Sequence, residues 1–137
     1  MRRVFADAGY WIALLNPKDR LHAKASSIST SLGRARIVTS EMVLTEVLNG
    51  FARKGEGLRA AACSMLDHIR SNPNVEIVPM TSSAFREALE RYRRRADKTW
   101  GLTDCTSFLI MEQKGITEAL SGDRDFQQAG FNALLVE

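Results

Sequence analysis

At 137 residues, the chain suits one domain spanning 1–137 with a real hydrophobic core. Its composition, 45% apolar and 26% charged, is that of a soluble globular protein, and no apolar run approaches the length of a bilayer span. The net charge of +3 fits an ordinary surface, but setting aside four carboxylates as one metal cluster leaves +7, a balance that suits a polyanionic substrate. Met1-Arg2-Arg3 is basic, yet the apolar run behind it is cut by Asp7, which argues against a signal peptide. Cys63 and Cys105 lie in helical patterns without metal-ligand spacing and read as free, buried thiols in a reducing cytoplasm.

Val4 to Ala6 reads as a buried strand that ends on a carboxylate, Asp7; a helical apolar segment follows from Tyr10 to Leu15. Asn16-Pro17-Lys18-Asp19 is a turn. His22 to Leu32, stopped by Gly33, is a peripheral helix with a thin apolar stripe, and His22 reads as a surface residue. Ala35 to Thr39 is a second strand. Ser40 caps the next helix, Glu41 sits in its first turn, and Val43, Leu44, Val47, Leu48 and Phe51 form its apolar face with Glu46 between them. Gly55 and Gly57 break that pattern before an amphipathic helix from Leu58 to Ile69, which ends near Asn72-Pro73. Val75 to Pro79 is a third strand, and Thr81 to Ser83 offer a cap for a helix faced by Phe85, Ala88, Leu89, Tyr92 and Ala96.

The end of that helix carries Arg91, Arg93, Arg94, Arg95 and Lys98. Cations there complement the helix dipole, and a run this basic also suits phosphate contact. Thr103 is placed to cap a further helix, with Asp104 in its first turn and Gly115 as its stop. Ala119 to Ser121 is a fourth strand, followed by Gly122-Asp123-Arg124-Asp125-Phe126 and a helical turn to Gly130. Ala133 to Val136 is a fifth strand. Strands alternating with helices predict an α/β fold with a mainly parallel sheet of four to five strands and helices on both faces.

Such a sheet gathers acids at the ends of its elements. Asp7 follows the first strand, Asp123 and Asp125 the fourth; Asp104 opens a helix, and Glu46 lies on the helix after the second strand. Each acid alone has a plain structural reading as a helix-start, turn or solvated residue, Asp7 least so because apolar segments flank it. A compact set of carboxylates repels itself without a cation, and hard Mg²⁺ or Mn²⁺ ions prefer such oxygen ligands. A cluster of this kind can activate water and stabilise charge on a phosphodiester. No zinc ligand set, nucleophile elbow, Walker loop or dinucleotide fingerprint is present.

These residues resemble the PIN-domain nucleases, and within them the VapC-like toxins of type II toxin–antitoxin pairs. Val4-Phe5-Ala6-Asp7-Ala8-Gly9-Tyr10-Trp11-Ile12-Ala13 looks like the first motif of that family, Thr45-Glu46-Val47 like the second and Leu102-Thr103-Asp104 like the third. Ser121-Gly122-Asp123-Arg124-Asp125-Phe126 looks like the last. The four occur in order over nearly the whole chain. The resemblance implies a three-layer α/β/α domain with strand order 3-2-1-4-5. It also implies a Mg²⁺- or Mn²⁺-dependent ribonuclease with Asp7, Glu46, Asp104 and Asp123 at the metal site and Asp125 as a further ligand. Ser121 stands where a hydroxyl is common and is taken to bind substrate, a water or an Asp; Arg93, Arg94 and Arg95 are the candidate RNA contacts. A cognate antitoxin and a homodimer are implied partners, with no membrane. Gly9 departs from the family, which often has a Ser or Thr there.

Two other functions compete: a PIN-fold RNA-binding or processing module with little or no nuclease activity, and a phosphoryl-transfer enzyme with Asp7 as nucleophile. The second usually carries another Asp two residues after the first, where this chain has Gly9.

Overall fold

Strand β1 (Arg3–Ala6) occupies the middle of a five-stranded, all-parallel sheet. It is flanked by β2 (Arg36–Ser40) and β4 (Glu118–Leu120), with β3 (Val75–Val78) and β5 (Asn132–Ala133) at the edges, giving the order β3-β2-β1-β4-β5. The structure, a computed structural model, describes residues 1–137. Val4, Phe5 and Ala6 are fully buried because both faces of the sheet are covered, which is why this strand is a continuous apolar run rather than an alternating one.

Seven helices complete the three layers. Helices α1 (Ala8–Leu15), α2 (His22–Ser31), α3 (Glu41–Phe51) and α4 (Glu56–Ser71) pack together, and α5 (Ser82–Arg94) packs against α6 (Leu102–Lys114). The short α7 (Arg124–Gln128) follows β4 and touches α6. Local signals in the sequence place several of these ends. The Ser40 Oγ accepts the Val43 N–H at 3.1 Å, and the Thr81 Oγ1 accepts the Ala84 N–H at 3.0 Å. Gly115 ends α6 at φ 66°, the left-handed conformation that favours glycine. Only Ala25 of α2 is buried, as its thin apolar stripe predicts.

Other details differ from the sequence expectation. Helix α1 begins at Ala8, directly after Asp7, so the carboxylate stands at its N-terminus rather than in a loop. Gly57 lies inside the first turn of α4; only Gly55 breaks the chain, at φ 94°. Thr103 is not a cap: α6 starts at Leu102 with Gly101 before it. Strand β5 covers Asn132–Ala133 only, because the chain turns at Leu134, although Leu134 and Leu135 still donate to the Ala119 and Ser121 carbonyls at 2.9 and 3.0 Å. Cys63 is exposed on α4, whereas Cys105 is buried as expected. His22 is half-buried, its Nδ1 lying 2.7 Å from the Ala13 carbonyl at the end of α1, so it ties α2 to α1.

Two core clusters bear on the acidic end of the sheet. Thr39 is fully buried; its Oγ1 donates to the Ala6 carbonyl at 2.9 Å and accepts from the Trp11 indole at 3.3 Å, locking the end of β1 to β2 and α1. Phe108 of α6 packs edge-to-face on Trp100 and on Phe126 of α7, each at a centroid distance of 5.0 Å. These rings hold the start of α6 against the loop after β4.

Candidate metal centre

The acids meet at the carboxyl edge of the sheet, beyond β1 and β4. The Asp7 N–H donates to the Leu120 carbonyl at 3.1 Å, extending the β1–β4 pairing by one step and setting Asp7 beside Ser121. Ser121 is fully buried. Its hydroxyl donates to Asp7 Oδ2 at 3.0 Å and accepts the Asp123 N–H at 3.1 Å. One side chain thus orients two of the acidic positions. Of the contacts expected of Ser121, the one to an Asp is present: the buried hydroxyl engages Asp7 and the Asp123 backbone.

Asp104 lies in the first turn of α6, where its Oδ2 accepts the Gly101 N–H at 3.0 Å. Asp123 is the N-cap of α7, its Oδ1 accepting the Asp125 N–H at 2.9 Å. Oxygens of Asp104, Asp123 and Asp125 all lie within 4.8 Å of one another. Asp125, a further ligand in the sequence reading, is therefore inside the tightest group, while Asp7 and Glu46 stand outside it. Glu46 is exposed on α3, close enough for its charge to act on Asp7.

The electrostatics record that crowding. Burial pushes the Asp7 carboxyl up to about 6, with Glu46 and Asp123 adding to the rise and hydrogen bonds from Ala8 and Ser121 opposing it. Burial likewise pushes Asp104 up to about 7, helped by the charges of Asp7, Asp123 and Asp125 and opposed by the Gly101 N–H. Asp125 is also raised, chiefly by burial and then by Asp123, with Lys98 opposing. The donor set is carboxylate oxygen throughout, and three of the carboxyls are held partly against ionisation by burial and by one another. That chemistry fits a hard divalent cation, whose charge would relieve the repulsion and favour the ionised ligands.

The three arginines occupy a different surface. Arg93 and Arg94 lie 3.4 and 3.7 Å from Glu90 on their own helix, and Arg95 forms a two-point pair with Asp97 at 3.0 and 3.1 Å. They are not part of the acidic group. Lys98, read in the sequence as part of the basic run suited to phosphate contact, and Trp100, to which the sequence pattern gave no site role, stand between the arginines and the acids: Lys98 acts on Asp125, and Trp100 precedes the Gly101 N–H that holds Asp104. The only sequence signal of Trp100 was proximity to Asp104. Thr39 was likewise missed, since its role depends on three elements meeting.

Comparison with known proteins agrees with this arrangement. The family model described as PIN domain matches residues 4–132. The chain is 33% identical over 128 residues to the 23S rRNA-specific endonuclease VapC20 of Mycobacterium tuberculosis, covering 93% of this chain and 95% of that protein. The crystal structure of M. tuberculosis VapC20, titled a sarcin–ricin loop cleaving toxin, superposes with a TM-score of 0.84 at 30% identity, over 93% of this chain and 95% of that one. FitAcB from Neisseria gonorrhoeae, with a TM-score of 0.67 over 95% of both chains, and VapBC2 from Rickettsia felis bound to a promoter DNA fragment, with 0.64 over 96% of both chains, share the fold at 14% identity. The sheet order, the acids at its carboxyl edge and the match over nearly the whole chain lead to one assignment: this chain belongs to the PIN-domain family.

Proposed function

We propose that the protein is a metal-dependent endoribonuclease that hydrolyses RNA phosphodiester bonds and acts as the toxin of a toxin–antitoxin pair. The observation that carries this reading is the approach of Asp104, Asp123 and Asp125 to within 4.8 Å, with the half-buried Asp7 close enough for its charge to act on Asp104. Asp7, Glu46, Asp104, Asp123 and Asp125 are the residues to hold Mg²⁺ or Mn²⁺. When bound, the cation supplies an activated water and neutralises charge on the phosphodiester oxygens.

The rest falls to the chain. Ser121 fixes the rotamer of Asp7 and the backbone at Asp123, so the ligands are preset rather than gathered on binding. Asp104 is pinned by the Gly101 N–H. Arg93, Arg94 and Arg95 add a positive surface whose carboxylate partners are all exposed, and such pairs exchange readily for phosphate oxygens.

The similarity to VapC20 favours large-subunit ribosomal RNA as the substrate class. The toxin reading brings a cognate antitoxin as partner, and pairing of two copies belongs to the same reading. The test is incubation with ribosomes, with a sarcin–ricin-type hairpin and with unrelated RNAs, in Mg²⁺, Mn²⁺ or chelator, with cut sites mapped by primer extension. Cation-dependent cuts confined to the ribosomal substrates are expected. RNA binding without cleavage in either cation would favour the RNA-binding module instead.

A further inference from the structure

Next to the acids, a groove of about 490 Å³ opens between the end of α5 and the segment leading into α6. Leu89, Tyr92, Arg93, Arg95, Lys98 and Trp100 form most of its wall. Trp100 is only 6% exposed, and its indole Nε1–H is buried without an acceptor in the protein. Two cations lie over the same ring: the Arg95 guanidinium 4.9 Å and the Lys98 ammonium 5.9 Å from its centroid. Arg95 is shared with the exposed Asp97, while Lys98 has no carboxylate within ion-pair distance. Two cations held over one ring at the wall of a groove are complementary to an anion with several oxygens.

Its location narrows the anion. Lys98 to Trp100 immediately precede Gly101, whose N–H holds Asp104 at 3.0 Å, so the groove wall runs directly into the acidic group. A strand whose reacting phosphate lay at the acids would therefore pass a neighbouring phosphate over Lys98. We propose that this groove is a phosphate subsite for the single-stranded RNA flanking the scissile bond, with Lys98 and Arg95 as its cations and the Trp100 ring as the surface that holds them in place. It rests on the nuclease reading for the identity of the substrate. It also narrows the contact within the three-arginine run to Arg95 and adds Lys98 from outside it. Arg93 borders the groove, whereas Arg94 is not among its lining residues.

The test measures binding separately from cleavage. Affinity for a non-cleavable 2′-deoxy-substituted oligonucleotide is followed by fluorescence anisotropy across a salt series in Ca²⁺, alongside cleavage of the all-ribose strand in Mn²⁺. Lys98→Ala and Arg95→Ala are each expected to weaken binding by about tenfold, the scale of a hydrogen bond to a charged group. Each should also flatten the plot of log K against log salt by about 0.7, the value for one single-strand phosphate contact. Arg86→Ala, which removes an exposed charge of the same sign elsewhere on α5, should change neither. A neutral methylphosphonate placed at each linkage in turn should lower wild-type affinity most at one position beside the cut, and Lys98→Ala should be insensitive there. Unchanged affinity and slope in both Lys98→Ala and Arg95→Ala would overturn the subsite even if cleavage remained intact. The expected losses of binding in a protein that cleaves no RNA would support the phosphate site and overturn its placement beside a scissile bond.

Discussion

Ser121 and Asp7 are joined by a 3.0 Å hydrogen bond at the carboxyl edge of neighbouring parallel strands, and the same hydroxyl accepts the Asp123 N–H at 3.1 Å. The serine is fully buried and Asp7 half-buried, so the hydrogen bond presents Asp7 in one orientation. Ser121→Ala should lower cleavage by roughly 10–100-fold, the usual effect of losing a residue that orients a metal ligand. Denaturant midpoints should show a stability loss of about 1–3 kcal/mol from the unsatisfied Asp7 oxygen and Asp123 amide. Added Mn²⁺ should recover part of the activity, because the defect lies in ligand positioning.

The raised carboxyls set a pH dependence for the metal-free protein. Asp7 and Asp104 rise from 3.8 to about 6 and about 7 on folding, so between those limits the folded chain holds more protons than the unfolded one. Their contribution to stability is present below about pH 4 and is lost as pH rises through about 7. Thermal melts with chelator should therefore show these two groups pulling the melting temperature down across that window. A divalent cation binds the ionised carboxylates, so the rise it produces should be larger at pH 7.5 than at pH 5. An equal rise at both would mean that the cation binds elsewhere.

Asp125 and Glu46 should not contribute equally. Asp125 is within 4.8 Å of two other acids, whereas Glu46 is exposed and reaches the group through its effect on Asp7. Asp125→Asn should reduce the Mn²⁺-induced gain in melting temperature more than Glu46→Gln does. The reverse order would place the ion nearer α3 than α7.

Gly9, the one departure from the family motif, is not enforced by packing. A Cβ at this position would meet no atom within 4 Å. Gly9→Ser should fold normally and gain up to about 0.5 kcal/mol from better helix propensity in α1. Retention of cleavage in Gly9→Ser, with any change confined to kcat, is the expected outcome, since the wild-type site assembles without a hydroxyl there.

The buried Thr39 gives a stability prediction separate from the acids. Thr39→Val keeps the shape but strands the Trp11 indole and the Ala6 carbonyl, at a cost of about 1–3 kcal/mol. Chemical denaturation measures it directly.

Much of this architecture is legible in the sequence because local signals agree with the global fold. Val4 to Ala6 is apolar on both faces, Ser40 and Thr81 are caps, Gly115 is a stop, and Asp7, Asp104 and Asp123 fall at element ends that a parallel sheet brings together. What the sequence hides depends on which elements become neighbours. The bond from Ser121 to Asp7 needs β4 beside β1, an order that alternation alone leaves open. The approach of Asp125 to Asp104 needs α7 folded against α6 by the Phe108–Phe126 contact. Cys63 turns out exposed because α4 buries only a narrow stripe, chiefly Ala62 and Ile69, and a cysteine next to a buried position falls outside it.

The central claim is that RNA is cleaved at the acids around the end of β1. Its most direct measurement is cleavage of a defined RNA panel in Mg²⁺ and Mn²⁺ by wild type and by Asp7→Asn, whose carboxamide keeps the shape and removes the charge. The account predicts cation-dependent cuts by wild type, and background only from an Asp7→Asn protein with an unchanged fold by circular dichroism. Cleavage by Asp7→Asn at the wild-type rate and positions would contradict it.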